Sequence, residues 1–206
     1  MFDTSQESQA QPDLSRFQLR GVTPSAWTDC VFANFEEFLL DHASCERKAA
    51  ANALSMVSRY PDRPELVDAM IALAREELEH FQAVTDIIHA RGLSLGVDKV
   101  DDYVNIMLKE CRHGRDERLL DRLLVAAMVE ARSHERLEVL VAAMPEDHPC
   151  AQVMGRLLAA ESGHRRIFVR LAERYFPRKA VAEALERFVT AEAAAFASQP
   201  IRPGFH

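Results

Sequence analysis

The sequence predicts an all-α protein, a four-helix bundle with one long crossover. Three observations predict it. Ala, Leu, Glu and Arg dominate a 206-residue chain that has only seven Gly and nine Pro. That is a composition of strong helix formers, not of a turn-punctuated β-sandwich. Apolar residues recur alternately three and four apart over long stretches, and prolines punctuate the gaps between those stretches.

Residues 1–20 read as a polar arm. A first helix is expected over 25–59, stopped by Pro61 and Pro64. A second runs over 65–90 and ends at Gly92. A loop over 92–97 leads to a shorter helix over 98–112, and Gly114 breaks the chain again. A long helix over 116–143 stops at Pro145. Another over 149–175 stops at Pro177. A last helix over 178–197 precedes a tail, 201–206. Four long helices in two tight hairpins, joined by a long segment with its own helix, is ferritin-like connectivity. Residues 21–200 therefore read as one bundle domain.

The apolar stripes of the four long helices carry charges at their centres. Leu39, His42, Glu46, Ala49 and Ala53 share one stripe; Leu73, Glu77, His80 and Val84 share the next. Ala127, Glu130, His134 and Leu137 form the third, and Leu157, Glu161, His164 and Phe168 the fourth. A buried unpaired carboxylate is costly, and four converging ones repel one another. Such a core needs cations. Two divalent iron or manganese ions suit carboxylate and imidazole ligands.

The spacing sharpens the expectation. Glu46 and Glu77 are 31 residues apart, as are Glu130 and Glu161, and the midpoints fall at Pro61 and Pro145. Residues equidistant from a hairpin turn lie level on antiparallel helices. Each second helix adds a His on the same face, in Glu77-x-x-His80 and Glu161-x-x-His164. One Glu from each of two helices and Glu-x-x-His from the other two is the di-metal carboxylate pattern. A third pair, Glu110-x-x-His113, lacks a partner Glu at hairpin spacing and reads as a surface pair. His42 and His134 lie one turn from a ligand on the core stripe. Each reads as a buried His bonded to a neighbouring helix or as a residue orienting a ligand carboxylate. Ala49, Ala50, Ala53, Ala126, Ala127, Ala159 and Ala160 either permit close packing or leave space for dioxygen and an organic substrate.

The formal net charge is −7, which weighs against a protein dedicated to gripping phosphate backbones. Its distribution is uneven. Residues 1–110 hold ten basic and nineteen acidic side chains, and residues 111–180 hold thirteen and ten. Basic residues cluster at Arg112, Arg115, Arg118 and Arg122, and again from Arg165 and Arg166 to Lys179. These are either solvated helix faces or an electropositive rim for an anionic partner such as RNA. No apolar run is long enough for a transmembrane helix, and the first residues lack a signal-peptide layout. Cys30, Cys45, Cys111 and Cys150 have no CxxC spacing. A cytoplasmic protein with free thiols, and no membrane partner, is expected. The oligomeric state stays open, a monomer included.

Four segments carry a resemblance: His42-Ala-Ser-Cys-Glu46-Arg-Lys, Arg75-Glu-Glu77-Leu-Glu-His80-Phe, Glu130-Ala-Arg-Ser-His134-Glu-Arg and Glu161-Ser-Gly-His164-Arg-Arg. The chain resembles the tRNA hydroxylases that act on 2-methylthio-isopentenyladenosine, from Leu19 to Tyr175 and through the last helix. The resemblance implies a ferritin-like non-haem di-iron monooxygenase. It implies two iron ions held and bridged by Glu46, Glu77, Glu130 and Glu161, with His80 and His164 each binding one. Dioxygen is the implied co-substrate, with two electrons from an external donor. The implied partner is a tRNA anticodon stem-loop, whose phosphates Arg112, Arg115, Arg165 and Arg166 would contact. The alternative is a ferritin-like di-iron peroxidase or oxidase that acts without RNA.

Overall fold

In a computed structural model, which describes residues 12–98 and 100–206, the chain is all-α. The first eleven residues of the expected polar arm lie outside the described residues. Residues 12–20 include a one-turn 3-10 helix, Leu14–Arg16, packed on the bundle. The α-helices are α1 (Ser25–Ala33), α2 (Phe35–Arg59), α3 (Pro64–Ala90), α4 (Asp102–Lys109), α5 (Arg115–Ala143), α6 (Ala151–Glu161), α7 (His164–Tyr175) and α8 (Arg178–Ser198). Helices α2 and α3 form one hairpin, and α5 packs against α6 and α7 to form the other. Helix α8 closes over α4 and α5. The result is the expected ferritin-like bundle with added helices.

Two expected helices are broken. The stretch 25–59 divides at Asn34, which takes a non-helical backbone (φ −134°, ψ 44°). Its side-chain amide donates to the Cys30 carbonyl at 2.9 Å, competing with the helical ladder. The stretch 149–175 divides at Ser162 and Gly163. The Ser162 hydroxyl donates back to the Ala159 carbonyl at 2.9 Å, and glycine adds the weakest helix propensity short of proline. The connecting helix is also shorter than expected: the Asp101 carboxylate accepts from the Val104 amide at 3.0 Å and sets its start.

The core is divided into two apolar clusters. One holds Met56, Leu73, Leu123, Phe168 and Phe188; the other holds Trp27, Phe38, Val84, Leu140 and Leu157. On each long strand of the bundle the change from one cluster to the other occurs at the glutamates. A polar layer therefore crosses the bundle between two dry ends. Helices α4, α5 and α8 are joined by a buried network. Arg132 donates to Glu192 at 2.7 and 2.9 Å, and the Tyr103 hydroxyl donates to the same carboxylate at 2.8 Å.

The tail 201–206 lies against the bundle. The Gly204 carbonyl accepts from Trp27 Nε1 at 3.0 Å and from Arg136 Nη1 at 2.8 Å. The Phe205 amide donates to Asp41 at 2.9 Å. His206 lies 2.9 Å from Asp101 and 3.2 Å from the Ser133 hydroxyl, and its ring stacks on Tyr103.

Candidate metal centre

The six side chains selected by spacing converge in the polar layer. Glu46 comes from α2, Glu77 and His80 from α3, Glu130 from α5, Glu161 from the last residue of α6 and His164 from the first of α7. All six are buried. They form two overlapping groups, Glu46–Glu77–His80–Glu161 and Glu77–Glu130–Glu161–His164. In each group the donor atoms lie within 4.8 Å of one another.

Glu77 and Glu161 belong to both groups. Glu161 sets Oε1 2.7 Å from His80 Nδ1 and Oε2 2.8 Å from His164 Nδ1. Glu77 does the same at longer range, with Oε2 3.7 Å from His80 and Oε1 3.1 Å from His164. Each of these carboxylates spans the two groups, while Glu46 and Glu130 serve one each. The arrangement is nearly two-fold: the His80 and His164 rings stack with centroids 5.8 Å apart.

The charges suit an added cation. Burial, and repulsion by Glu77 and Glu161, push the Glu130 carboxyl up to about 8 despite its contact with His164. Burial also opposes ionisation of Glu46, but His42 and His80 outweigh it and hold that carboxyl well below the usual range. Burial would depress His80, yet the carboxylates of Glu161, Glu46 and Glu77 raise it to about 12. The donor atoms fit a metal directly. His80 Nδ1, His164 Nδ1, Glu77 Oε1 and Glu161 Oε1 are buried and make no hydrogen bond of acceptable geometry. Leaving so many buried polar atoms unpaired in one layer is costly unless an ion takes them. Six carboxylate and imidazole side chains suit iron or manganese.

Two residues brace the ligands from outside. His42 Nε2 lies 2.6 Å from Glu46 Oε1, one turn away on the same helix. Glu76 reaches His164 Nε2 at 3.0 Å, leaving Nδ1 to face the carboxylates. Glu76 falls off the apolar stripe of α3 and is half exposed, yet it reaches across to α7. His134 is half-buried and, among the described residues, hydrogen-bonds to none of the six ligand candidates. Ser133 faces inward in its place.

A cavity of about 170 Å³ adjoins the carboxylates. Glu46, Glu77, Glu130 and Glu161 form its floor. Ala49, Ala126, Val125, Val129 and Leu137 form its walls, so two of the alanines near the ligands do border open space. Val104 and Leu108 of α4 and the Phe205–His206 tail close one side. Lys48 also lines the cavity, and Asn52 and Arg122, six and eight residues along α2 and α5 from Glu46 and Glu130, line it farther from the carboxylates. The four arginines proposed from sequence to touch RNA lie elsewhere. Arg112 is held by Asp121 and Arg115 by Asp62. Arg165 covers Phe17, and Arg166 donates to the Ser162 carbonyl. Arg122 could have been singled out by extending the Glu130–Ala126 stripe one turn. Nothing in the sequence pointed to Phe205 or His206.

Comparisons with known proteins place the chain in a family. A family model described as tRNA-(MS[2]IO[6]A)-hydroxylase (MiaE) matches residues 11–206. The chain is similar to the tRNA 2-(methylsulfanyl)-N(6)-isopentenyladenosine(37) hydroxylase of Pseudomonas putida. That match is 34% identical over 185 residues, 88% of this chain and 87% of that protein. The protein of the same description from Salmonella typhimurium is 28% identical over 202 residues, with 73% of each chain covered. Among solved structures, the chain is similar to a Synechococcus protein described as Protein 43 with aldehyde deformylating oxygenase activity. The TM-score is 0.82 and the identity 39%, covering 90% of this chain and 92% of that one.

Proposed function

The chain belongs to the MiaE family of tRNA hydroxylases, and from that premise we propose that it hydroxylates the isopentenyl group of 2-methylthio-isopentenyladenosine in tRNA, next to the anticodon. It is a non-haem di-iron oxidoreductase of the ferritin-like type. The reaction inserts one atom of dioxygen into a C–H bond and releases the other as water, taking up two electrons from an external donor and two protons. The observation that carries the reading is the apolar-walled cavity set directly on the paired carboxylates.

Two iron ions, held by Glu46, Glu77, Glu130, Glu161, His80 and His164, supply the activation of dioxygen when bound. The chain's own part is positional. Glu77 and Glu161 fix the two sites relative to each other. His42 and Glu76 lock the orientation of a carboxylate and an imidazole. The walls of Ala49, Val125, Ala126 and Val129 take an apolar prenyl tail and exclude water from the reacting carbon. The reaction belongs in the cytoplasm, where tRNA and reducing equivalents are found.

Nucleoside mass spectrometry of tRNA from a deletion strain tests the reading. Loss of hydroxylated prenyladenosine, with the unhydroxylated form accumulating, is expected; an unchanged ratio sinks it. A second reading, an oxygenase acting on a free apolar aldehyde without RNA, is favoured by the 39% identity to the Synechococcus protein. Turnover of a long-chain aldehyde by iron-loaded protein, with no turnover of tRNA, would select it.

A further inference from the structure

The cavity ends at a basic cluster that the metal centre does not use. Arg122 is half-buried in the cavity wall, and its Nη2 donates to Asn52 Oδ1 at 2.6 Å across α2 and α5. Arg118 lies one turn outward on α5, and Arg59 lies two turns outward from Asn52 on α2. Among the described residues, no carboxylate lies within ion-pair distance of Arg59, Arg118 or Arg122, whereas Arg63, Arg112, Arg115, Arg174, Arg178 and Arg187 all have one. Burial and the charges of Arg59 and Arg118 pull the Arg122 pKa below the ordinary arginine value. Like charges one helical turn apart destabilise a helix, and burial of an arginine adds to that cost. A chain that keeps three such side chains together and unpaired gains from an anion supplied from outside.

The position limits what that anion is. Arg122 lies eight residues from Glu130 on α5, about 12 Å along the helix at 1.5 Å per residue. That span accommodates a prenyl group and the purine that bears it. An anion held there belongs to the backbone that carries the base. Arg118 and Arg59 continue the positive charge outward along both helices, which suits a polyanionic strand better than a single carboxylate.

We propose that Arg122, anchored by Asn52 and flanked by Arg118 and Arg59, is a phosphodiester-binding site at the outer end of the cavity that sets how deeply a substrate RNA strand enters. This rests on the tRNA reading and deepens it. Arg122 here is a positioning residue, since it grips the strand and not the reacting carbon.

The test uses iron-loaded, full-length protein and an anticodon stem-loop RNA carrying the prenylated adenosine, with binding followed by fluorescence anisotropy from 50 to 200 mM salt. Arg122→Gln is expected to weaken binding about tenfold and to flatten the salt dependence by about one unit of slope. Arg122→Lys should recover part of the affinity. Arg118→Gln, at a side chain with no hydrogen bond or ion pair to lose among the described residues, should weaken binding in the same sense and guards against a folding defect in the first variant. Arg156→Gln, on the exposed face of α6, is the control and should bind as the wild type does. Affinities of the Arg122 and Arg118 variants within twofold of wild type, with an unchanged salt slope, overturn the placement while leaving the tRNA reading intact. A wild-type protein that does not bind the stem-loop at all overturns the tRNA reading and this site together.

Discussion

At the scale of single residues, the six ligand candidates divide into two carboxylates that belong to both groups and four side chains that belong to one, and their replacement should differ accordingly. Glu161→Ala removes a carboxylate shared by both groups, so iron content should fall from two per chain to near zero by metal analysis. His42→Ala leaves Glu46 in place but takes away its 2.6 Å partner. Loss of such an outer contact lowers metal affinity about 10- to 100-fold, measurable by chelator competition. Asp101 offers a pH test away from the metal. Burial would raise its carboxyl, but the His206 hydrogen bond and charge outweigh burial and hold it down at about 2. A depressed carboxyl stabilises the fold above its unfolded value near 3.8 and loses that contribution as pH falls through about 2. Asp101→Asn should therefore be less stable than wild type by about 2 kcal/mol at pH 6, a gap that narrows below about pH 4 and is gone below about pH 2 in acid-unfolding curves.

At the scale of elements, the break at Ser162–Gly163 sets Glu161 and His164 on separate helices. Gly163 has a negative φ of −104°, and a methyl group there meets nothing within 4 Å. Gly163→Ala should stabilise the protein by about 0.4–1 kcal/mol through the unfolded chain, seen as a rise in Tm. The Arg132–Glu192 pair behaves oppositely. Both side chains are fully buried. Glu192→Ala takes from the buried Arg132 guanidinium one of its two carboxylates, leaving Glu135 at 3.0 Å, and should cost about 1.5–3 kcal/mol in urea unfolding. The positions of the elements were legible because proline and periodicity mark them plainly. The breaks were not: Asn34 and Ser162 act through side-chain bonds to the backbone, which leave no periodic trace.

At the scale of the whole molecule, the ligand set was legible because symmetry doubles the signal. Two hairpins repeat one 31-residue spacing, and each repeat vouches for the other. The surroundings of the set were less legible. Glu76 reaches His164 only because α3 and α7 pack together, and Arg122 meets Asn52 only because α2 and α5 face each other across the cavity. Such pairs depend on how the hairpins dock, which local pattern does not encode. The docking also explains the division of the core. Because the polar layer separates two apolar clusters, bound metal couples both ends of the bundle. Loading with iron or manganese should raise Tm by several degrees in a concentration-dependent way, reversed by chelation.

The tail that closes the cavity ties together residues far apart in the chain. Its hydrogen bonds reach back 164 residues to Asp41, 105 to Asp101 and 73 to Ser133. Contacts of that span carry the loop-closure cost of the chain between them. Undocking Phe205 and His206 would open that side of the cavity and bare its carboxylates to water and ions.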